Sequence, residues 1–435
     1  MATLLDTSIV AGPLVIVLDV LAGLAVLLVL ARRYSVGAGV RAALSLVAGA
    51  LLGWALAWLT SDVWDLFGVS LSTATRSWVM AAFAAAGLAI NALSSPGRGR
   101  DRGRSGSRRS RDWRRGVAIA AIPLCLLAAA AGINADFGQY TTVRAALGFP
   151  LYGSLDNGGG AATTGTVGET AGSIGTVTIP STVSHFPARP AIVYLPAAAR
   201  TTHPPVLPVV VMLSGQPGTP ADVFTAGKLD VILNAYAAAH AGVTPIIVVP
   251  DQLGAADHNP MCVDSALGNS ATYLTVDVPA WIRSTFSVAA SPAGWAIAGF
   301  SQGGTCSIQL GAAHPEIFGT ILDISGELVP RNGDASHTIQ TGFAGDAAAY
   351  AAAAPAAILK AHAPYSSLHI IFAVGAGDLR FLAWANTLDA AATAAGASTQ
   401  LIVSPGTAHD WHTVNFVWTT ALPLIAARTG LAVTP

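Results

Sequence analysis

Four apolar runs within the first 134 residues constrain this chain more than any other feature: Val10–Leu30, Ala42–Leu59, Trp78–Leu93 and Val117–Ile133. Each approaches the ~20 residues a helix needs to cross ~30 Å of hydrocarbon. Four in series are hard to bury in one water-soluble domain, so the sequence predicts a four-helix transmembrane module over residues 1–134. Arginines set its expected orientation. Arg32, Arg33 and Arg41 separate the first two runs, and nine Arg between Arg98 and Arg115 separate the last two. The middle connection instead carries Asp62, Asp65 and Arg76. Positive loops stay cytoplasmic, which predicts that the N-terminus and everything after the fourth run lie outside. Trp58, Trp64 and Trp78 flank the outer connection as an interfacial belt would. The first run lacks a basic leader and is followed by Arg-Arg, so it is expected to remain as a span and not to be cleaved.

Only 10 % of residues are charged, against about 25 % in ordinary globular chains. That excludes a highly charged coiled coil, a disordered tail protein and a nucleic-acid binder. The Arg-rich connection, interleaved with Gly and Ser, fits a cytoplasmic loop resting on anionic lipid. Gly49 and Gly53 form a G-x-x-x-G pair suited to close helix packing, within the chain or in a homo-oligomer formed through the spans. Asp19, inside the first run, is a functional candidate because intramembrane carboxylates are rare.

Residues 135–175, rich in Gly, Thr and Ser with a Gly158–Gly160 run, read as a flexible linker. Residues 176–435 then alternate strand and helix. Short β-rich runs fall at Val177–Ile179, Ala191–Leu195, Val206–Leu213, Pro245–Val249, Trp295–Ala298, Gly319–Ile324, Leu368–Val374 and Thr399–Val403. Helical stretches fall at Ala221–Ala241, Tyr273–Phe286, Gln302–His314 and Arg380–Ala395. This pattern predicts an α/β domain with a mostly parallel sheet flanked by helices. Several strands are apolar throughout, as strands covered on both faces are. Cys262 and Cys306 fall in this domain, where they form either one disulfide or two buried thiols. Cys125 lies in the fourth run and is expected to be inert.

Gly299-Phe300-Ser301-Gln302-Gly303 has the form G-x-S-x-G between an apolar strand and a helix. A turn this sharp tolerates no large neighbours, and Gly at 299 and 303 meets that need while lifting Ser301 clear of the sheet. Gln302 then opens the helix, where its backbone N–H can face a developing oxyanion. A serine nucleophile needs a base oriented by an acid, following in the order Ser, acid, His, each after a strand. Asp378 follows Leu368–Val374 and His409 follows Thr399–Val403. Asp323 is the alternative acid and His412 the alternative base; His369 falls inside a strand, Asp389 mid-helix, and Asp410 beside His409. The second oxyanion donor is expected from Gly215 or Gln216, after the strand ending at Leu213. Segment Gln252–Asn269, with Asp257, His258 and Asp264, is a candidate lid or substrate loop. No metal pattern is present in the His409–His412 segment, and no cofactor is expected.

These residues resemble the putative-esterase (esterase D / antigen-85-like) branch of the α/β hydrolases. The resemblance runs over residues 175–425, through Ile179-Pro180, Tyr194-Leu195-Pro196, Leu213–Gly218, Gly299–Gly304, His314–Phe318 and His409-Asp410-Trp411. It implies a triad of Ser301, Asp378 and His409, with Gln302 and the Gly215–Gln216 region binding the oxyanion. The family contains carboxylesterases and mycolyl-type acyltransferases. One departure stands out: Gly406-Thr407-Ala408-His409 holds one residue more before the His than the usual Gly-x-His. The leading expectation is a membrane-anchored extracytoplasmic serine esterase acting on an ester or lipid substrate. Acyl transfer to a cell-envelope sugar or lipid, and an inactive envelope scaffold, are the alternatives.

Overall fold

The computed structural model of the protein describes residues 4–31, 35–94, 106–155 and 170–431, with backbone only at 106–112 and 114. Arg32, Arg33, Arg98, Arg100, Arg102, Arg104 and the Gly158–Gly160 run therefore lie outside the described residues, as do the side chains of Arg108, Arg109, Arg111 and Arg114. Two compact units divide the chain, Met1–Phe149 and Pro150–Pro435.

The first unit consists chiefly of α1 (Pro13–Leu30), α2 (Val36–Trp58, continued by a π-helical turn at Leu59–Val63), α3 (Thr73–Ser94) and α4 (Gly106–Phe137). All four contain stretches long and apolar enough to cross a membrane. Apart from α1, they outrun the apolar runs at both ends, because polar and charged residues such as Arg41 and Arg115 continue the same backbone hydrogen bonding. Packing rests on small residues. A Cβ on Gly49 would stand 2.3 Å from the Phe83 carbonyl oxygen, and one on Gly87 would stand 2.5 Å from that of Ser45. Gly49 and Gly53 are both buried, so the G-x-x-x-G pair joins α2 to α3 within one chain. Asp19 lies on an exposed face of α1. Residues 135–149, expected in the linker, belong to this unit. The Ile9 N–H donates to the Thr141 carbonyl, the Val143 N–H donates to Thr7, and Asp6 pairs with Arg144 at 2.8 Å.

The second unit is built on eight strands: β1 (Ser173–Val177), β2 (Ala191–Leu195), β3 (Val209–Leu213), β4 (Ile246–Val249), β5 (Trp295–Phe300), β6 (Thr320–Ile324), β7 (His369–Gly375) and β8 (Ser398–Ser404). They lie in the order β1-β2-β4-β3-β5-β6-β7-β8. From β4 to β8 every pairing is parallel, whereas β1–β2 and β2–β4 are antiparallel. Every residue of β2 through β7 is buried, which explains why β2 to β5 are apolar throughout; β6 and β7 also bury the polar Asp323 and His369. This is the α/β-hydrolase architecture.

The flanking helices are α5 (Leu229–Ala239), α6 (Val278–Thr285), α7 (Gln302–Ala313), α8 (Leu379–Ala394) and α9 (Trp411–Arg428). Three shorter helices fall between β6 and β7. Two expected helices are shorter than the sequence suggests. The stretch 221–241 breaks before α5, where Lys228 adopts a left-handed φ of 53°. The stretch 273–286 opens as a π-helical turn at Tyr273–Asp277 before α6. The first strand lies at 173–177 and not at 177–179, since Pro180 cannot donate to a ladder and β2 pairs with the residues before it.

A direct test of small-residue packing compares Gly49→Ala with Gly23→Ala, whose Cβ would meet nothing within 4 Å. In detergent, Gly49→Ala should lower the unfolding temperature of the helical unit by an amount corresponding to roughly 1–3 kcal/mol. Gly23→Ala should not lower it. Equal thermal shifts for the two would contradict the packing.

Candidate active site

Ser301 sits at the junction of β5 and α7 with φ 57° and ψ −118°. A non-glycine residue held at positive φ stores strain on the order of 1–3 kcal/mol, and the surroundings must impose it. Here they do so by close backbone approach. A Cβ on Gly299 would stand 1.9 Å from the Gly303 carbonyl oxygen; one on Gly303 would stand 2.4 Å from that of Ser214 and 2.6 Å from that of Leu213. Only glycine fits at either position. The Ser301 N–H donates to the Ile324 carbonyl on the neighbouring strand (2.8 Å), and the Thr305 N–H donates to the Ser301 carbonyl (2.9 Å). The hydroxyl is thus projected from a rigid corner.

His409 lies between β8 and α9, and its imidazole Nε2 is 2.9 Å from Ser301 Oγ. Its Nδ1 is 2.8 Å from Asp378 Oδ2. An ionised carboxylate can only accept, so Nδ1 carries the hydrogen and Nε2 is left to accept from the serine hydroxyl. Asp378 occupies the N-terminal end of α8 yet makes no side-chain cap there, which leaves the carboxylate for the imidazole. Both Asp378 and His409 are buried. The ring of His409 is flanked by Phe381 (centroids 4.3 Å apart) and Phe300 (5.1 Å), which hold its plane and limit water around the pair.

The loops carrying Asp378 and His409 are bonded to each other. The Ala376 N–H donates to Ser404 O and the Gly377 N–H to Thr407 O, both at 2.8 Å. Gly375 is required because a Cβ there would stand 2.3 Å from the Ala408 carbonyl. The additional residue before His409 is absorbed in this knot. Asp410 caps α9 by accepting from Thr413 N and also accepts from Ala408 N, each at 2.8 Å. Thr413 Oγ1 in turn donates to the Ala408 carbonyl (2.6 Å).

Gln302 stands in the first turn of α7, where its backbone N–H has no acceptor within the helix. Gly215 lies beside the Ser301 side chain: a Cβ placed on it would stand 3.6 Å from Ser301 Cβ. Gly215 and Gln302 thus approach Ser301 from two loops, while the Gln216 side chain donates to the Asp257 carbonyl. Cys262 and Cys306 are joined as a disulfide, tying the segment after β4 to the second turn of α7.

The alternative assignments fall elsewhere. Asp323 points from β6 into the space left by Gly304 and Gly326 and accepts from the Gly326 N–H, away from the imidazole. Its complete burial pushes its pKa up to about 7. His412 is exposed on α9. His369 is buried in β7 beside Ser398 Oγ (3.2 Å), and burial lowers its pKa. Asp389 lies within α8. In the expected lid segment, His258 Nε2 bonds the Leu267 carbonyl and Asp264 accepts from Thr272, so both are engaged locally. Among the described residues no group of His, Cys, Asp or Glu could hold a metal ion. Sequence reasoning missed Phe381 as the wall of His409, and the buried amides of Gln252 and Asn259; neither kind of contact leaves a periodic signal.

Comparison with known proteins places this site in context. The profile of the Putative esterase family matches residues 188–427. An uncharacterized protein of Corynebacterium glutamicum is 34 % identical over 262 residues, covering 59 % of this chain; the chain spans 61 % of that relative's length. Among solved structures, a ferulic acid esterase superposes with a TM-score of 0.50 at 19 % identity, over 60 % of this chain and 99 % of its own. An S-formylglutathione hydrolase from Agrobacterium tumefaciens gives 0.48 at 19 % identity, over 61 % and 98 %.

Asp323 gives this unit a specific pH dependence. Between the unfolded carboxylate value of ~3.9 and about 7 the folded chain keeps a proton that the unfolded chain has lost, so stability falls as pH rises through that window. Thermal unfolding of the wild type should therefore lose stability from pH 5 to 7.5 relative to Asp323→Asn. Parallel curves for the two proteins would show that Asp323 is ionised in the folded state.

Proposed function

The chain belongs to the Putative esterase family and is a serine hydrolase of the esterase α/β-hydrolase branch; from that premise we propose that it is a membrane-anchored, extracytoplasmic serine esterase with Ser301 as nucleophile. His409 Nε2 takes the hydroxyl proton as Ser301 Oγ attacks the ester carbonyl. Asp378 holds the imidazole in the required tautomer and stabilises its cation. The tetrahedral oxyanion is received by the backbone N–H of Gln302 and one from the Gly215–Gln216 turn. His409 then returns the proton to the departing alcohol, leaving an acyl group on Ser301. In the second half it takes a proton from water as the water oxygen attacks the acyl carbonyl, and gives that proton to Ser301 Oγ as the Oγ–acyl bond breaks and the acid leaves.

The observation that carries this reading is the continuous chain of two hydrogen bonds from Ser301 through His409 to Asp378, 2.9 and 2.8 Å long. Its anchoring in a bilayer is supported by the four apolar helices. The outward location is supported by the placement of Arg along the first third of the sequence and by the Cys262–Cys306 disulfide, since such bonds persist in oxidising compartments.

Hydrolysis of p-nitrophenyl butyrate by the full chain tests the assignment. Asp378→Asn should reduce kcat by about 10⁴-fold, by analogy with other triads, and Ser301→Ala by at least as much. Asp323→Asn should retain turnover. Loss of turnover only in Asp323→Asn would move the acid to β6. Added alcohols that accelerate release of p-nitrophenol while diverting the acyl group from water would assign the enzyme to transfer.

Location has its own test. Protease added to intact cells should digest the segment 180–430. Protection of that segment until the cells are permeabilised would reverse the topology.

A further inference from the structure

The two loops that supply the oxyanion donors come from different strands, β3 and β5, and adjacency of the strands alone does not fix the gap between their donors to the few tenths of an ångström that oxyanion binding requires. A third loop reaches both. After β4 the chain turns through Asp251, whose buried carboxylate accepts from the backbone and guanidinium of Arg189 and from the N–H groups of Leu253 and Gly254. This pins the backbone on which the next side chain is mounted. Gln252 is fully buried. Its Nε2 donates to the Ser214 carbonyl at 2.6 Å and to Gln302 Oε1 at 3.0 Å. Ser214 immediately precedes Gly215-Gln216, and Gln302 immediately follows Ser301.

Burying an amide is unfavourable unless its donors are satisfied. Both hydrogens of this one go to the two halves of the oxyanion site. The Ser214 carbonyl is also the group against which Gly303 packs without a Cβ. Gly303 therefore permits the close approach of the two loops, and Gln252 holds it. Because the Ser214–Gly215 peptide is planar, fixing its carbonyl also fixes the plane from which the Gly215–Gln216 turn departs. Gln302 is braced from its far side as well, donating to Asn259 Oδ1 (3.1 Å), while Asn259 donates to the Arg331 carbonyl (2.7 Å).

We propose that Gln252 is a positioning residue for acyl-enzyme formation, setting the separation of the two oxyanion donors through the Ser214 carbonyl and the Gln302 side chain. This rests on Ser301 being the nucleophile. It never touches substrate; it acts through residues 214–216 and 302.

The experiment uses the full chain with Gln252→Met, which keeps the length and removes both donors, Gln252→Glu, which turns acceptor oxygens toward two acceptors, and Gln302→Met. With p-nitrophenyl butyrate, each should lower kcat about 10- to 100-fold, with KM changed less than about threefold, smaller than the loss of an oxyanion donor itself. Affinity for phenylboronic acid, which forms a tetrahedral adduct with the serine, should fall in parallel with kcat. The double variant Gln252→Met/Gln302→Met should be no slower than the slower single variant, because the two side chains act as one unit. If Gln252→Met does not fold, Gln252→Asn, with the amide on a shorter arm, should show the same loss in kcat and boronate affinity. Unchanged kcat and boronate affinity, or a rise in KM alone, would overturn the proposal. An inactive wild type would instead defeat the nucleophile assignment, so the two failures are told apart.

Discussion

Everything in the catalytic unit depends on one close backbone approach, the seating of Gly303 against the carbonyl oxygens of Leu213 and Ser214. That contact draws α7 onto the end of β3 and leaves Ser301 no conformation but a left-handed one. The strain at a single residue is small beside the burial of the parallel strands that bracket it, all of them buried along their whole length. A rigid sheet thus fixes the hydroxyl. The Ser301 N–H, bonded to the Ile324 carbonyl, ties the corner to the adjoining strand as well.

From this corner the rest of the site follows by strand order. β6 separates β5 from β7, and β7 and β8 deliver Asp378 and His409 from consecutive loops that are bonded to each other. The imidazole stands between two aromatic rings and two polar groups, so its orientation is settled by packing before any substrate arrives. The same economy explains Asp410 and Thr413. They are close to His409 in sequence, yet their hydrogen bonds shape the loop and start α9.

Much of this was legible in the residues. Gly299 and Gly303 around Ser301 betray the sharp turn, and Asp378 and His409 can be read because each follows an apolar strand by a few residues. Four runs of hydrophobic residues likewise declare the helices of the first unit. The antiparallel β1 and β2 were not legible as such, since direction leaves no mark on a short buried strand. The helix Trp411–Arg428 was missed because the sequence before it reads as a loop, and the break before α5 depends on one residue, Lys228, in an unusual conformation. Gln252 and Asn259 escaped for a deeper reason. A bridging amide has no period and no partner at fixed spacing; Gln252 is 38 residues from Ser214 and 50 from Gln302.

The central claim is that the Ser301 hydroxyl is a nucleophile poised by His409. Exposure of the folded chain to a fluorophosphonate, followed by peptide mass mapping, addresses it with no assumption about the natural ester. The account predicts one phosphonyl adduct per chain, on Ser301, abolished when His409 is replaced by Ala. A folded wild type that takes up no reagent, or takes it up on another residue with Ser301 unmodified, would contradict it.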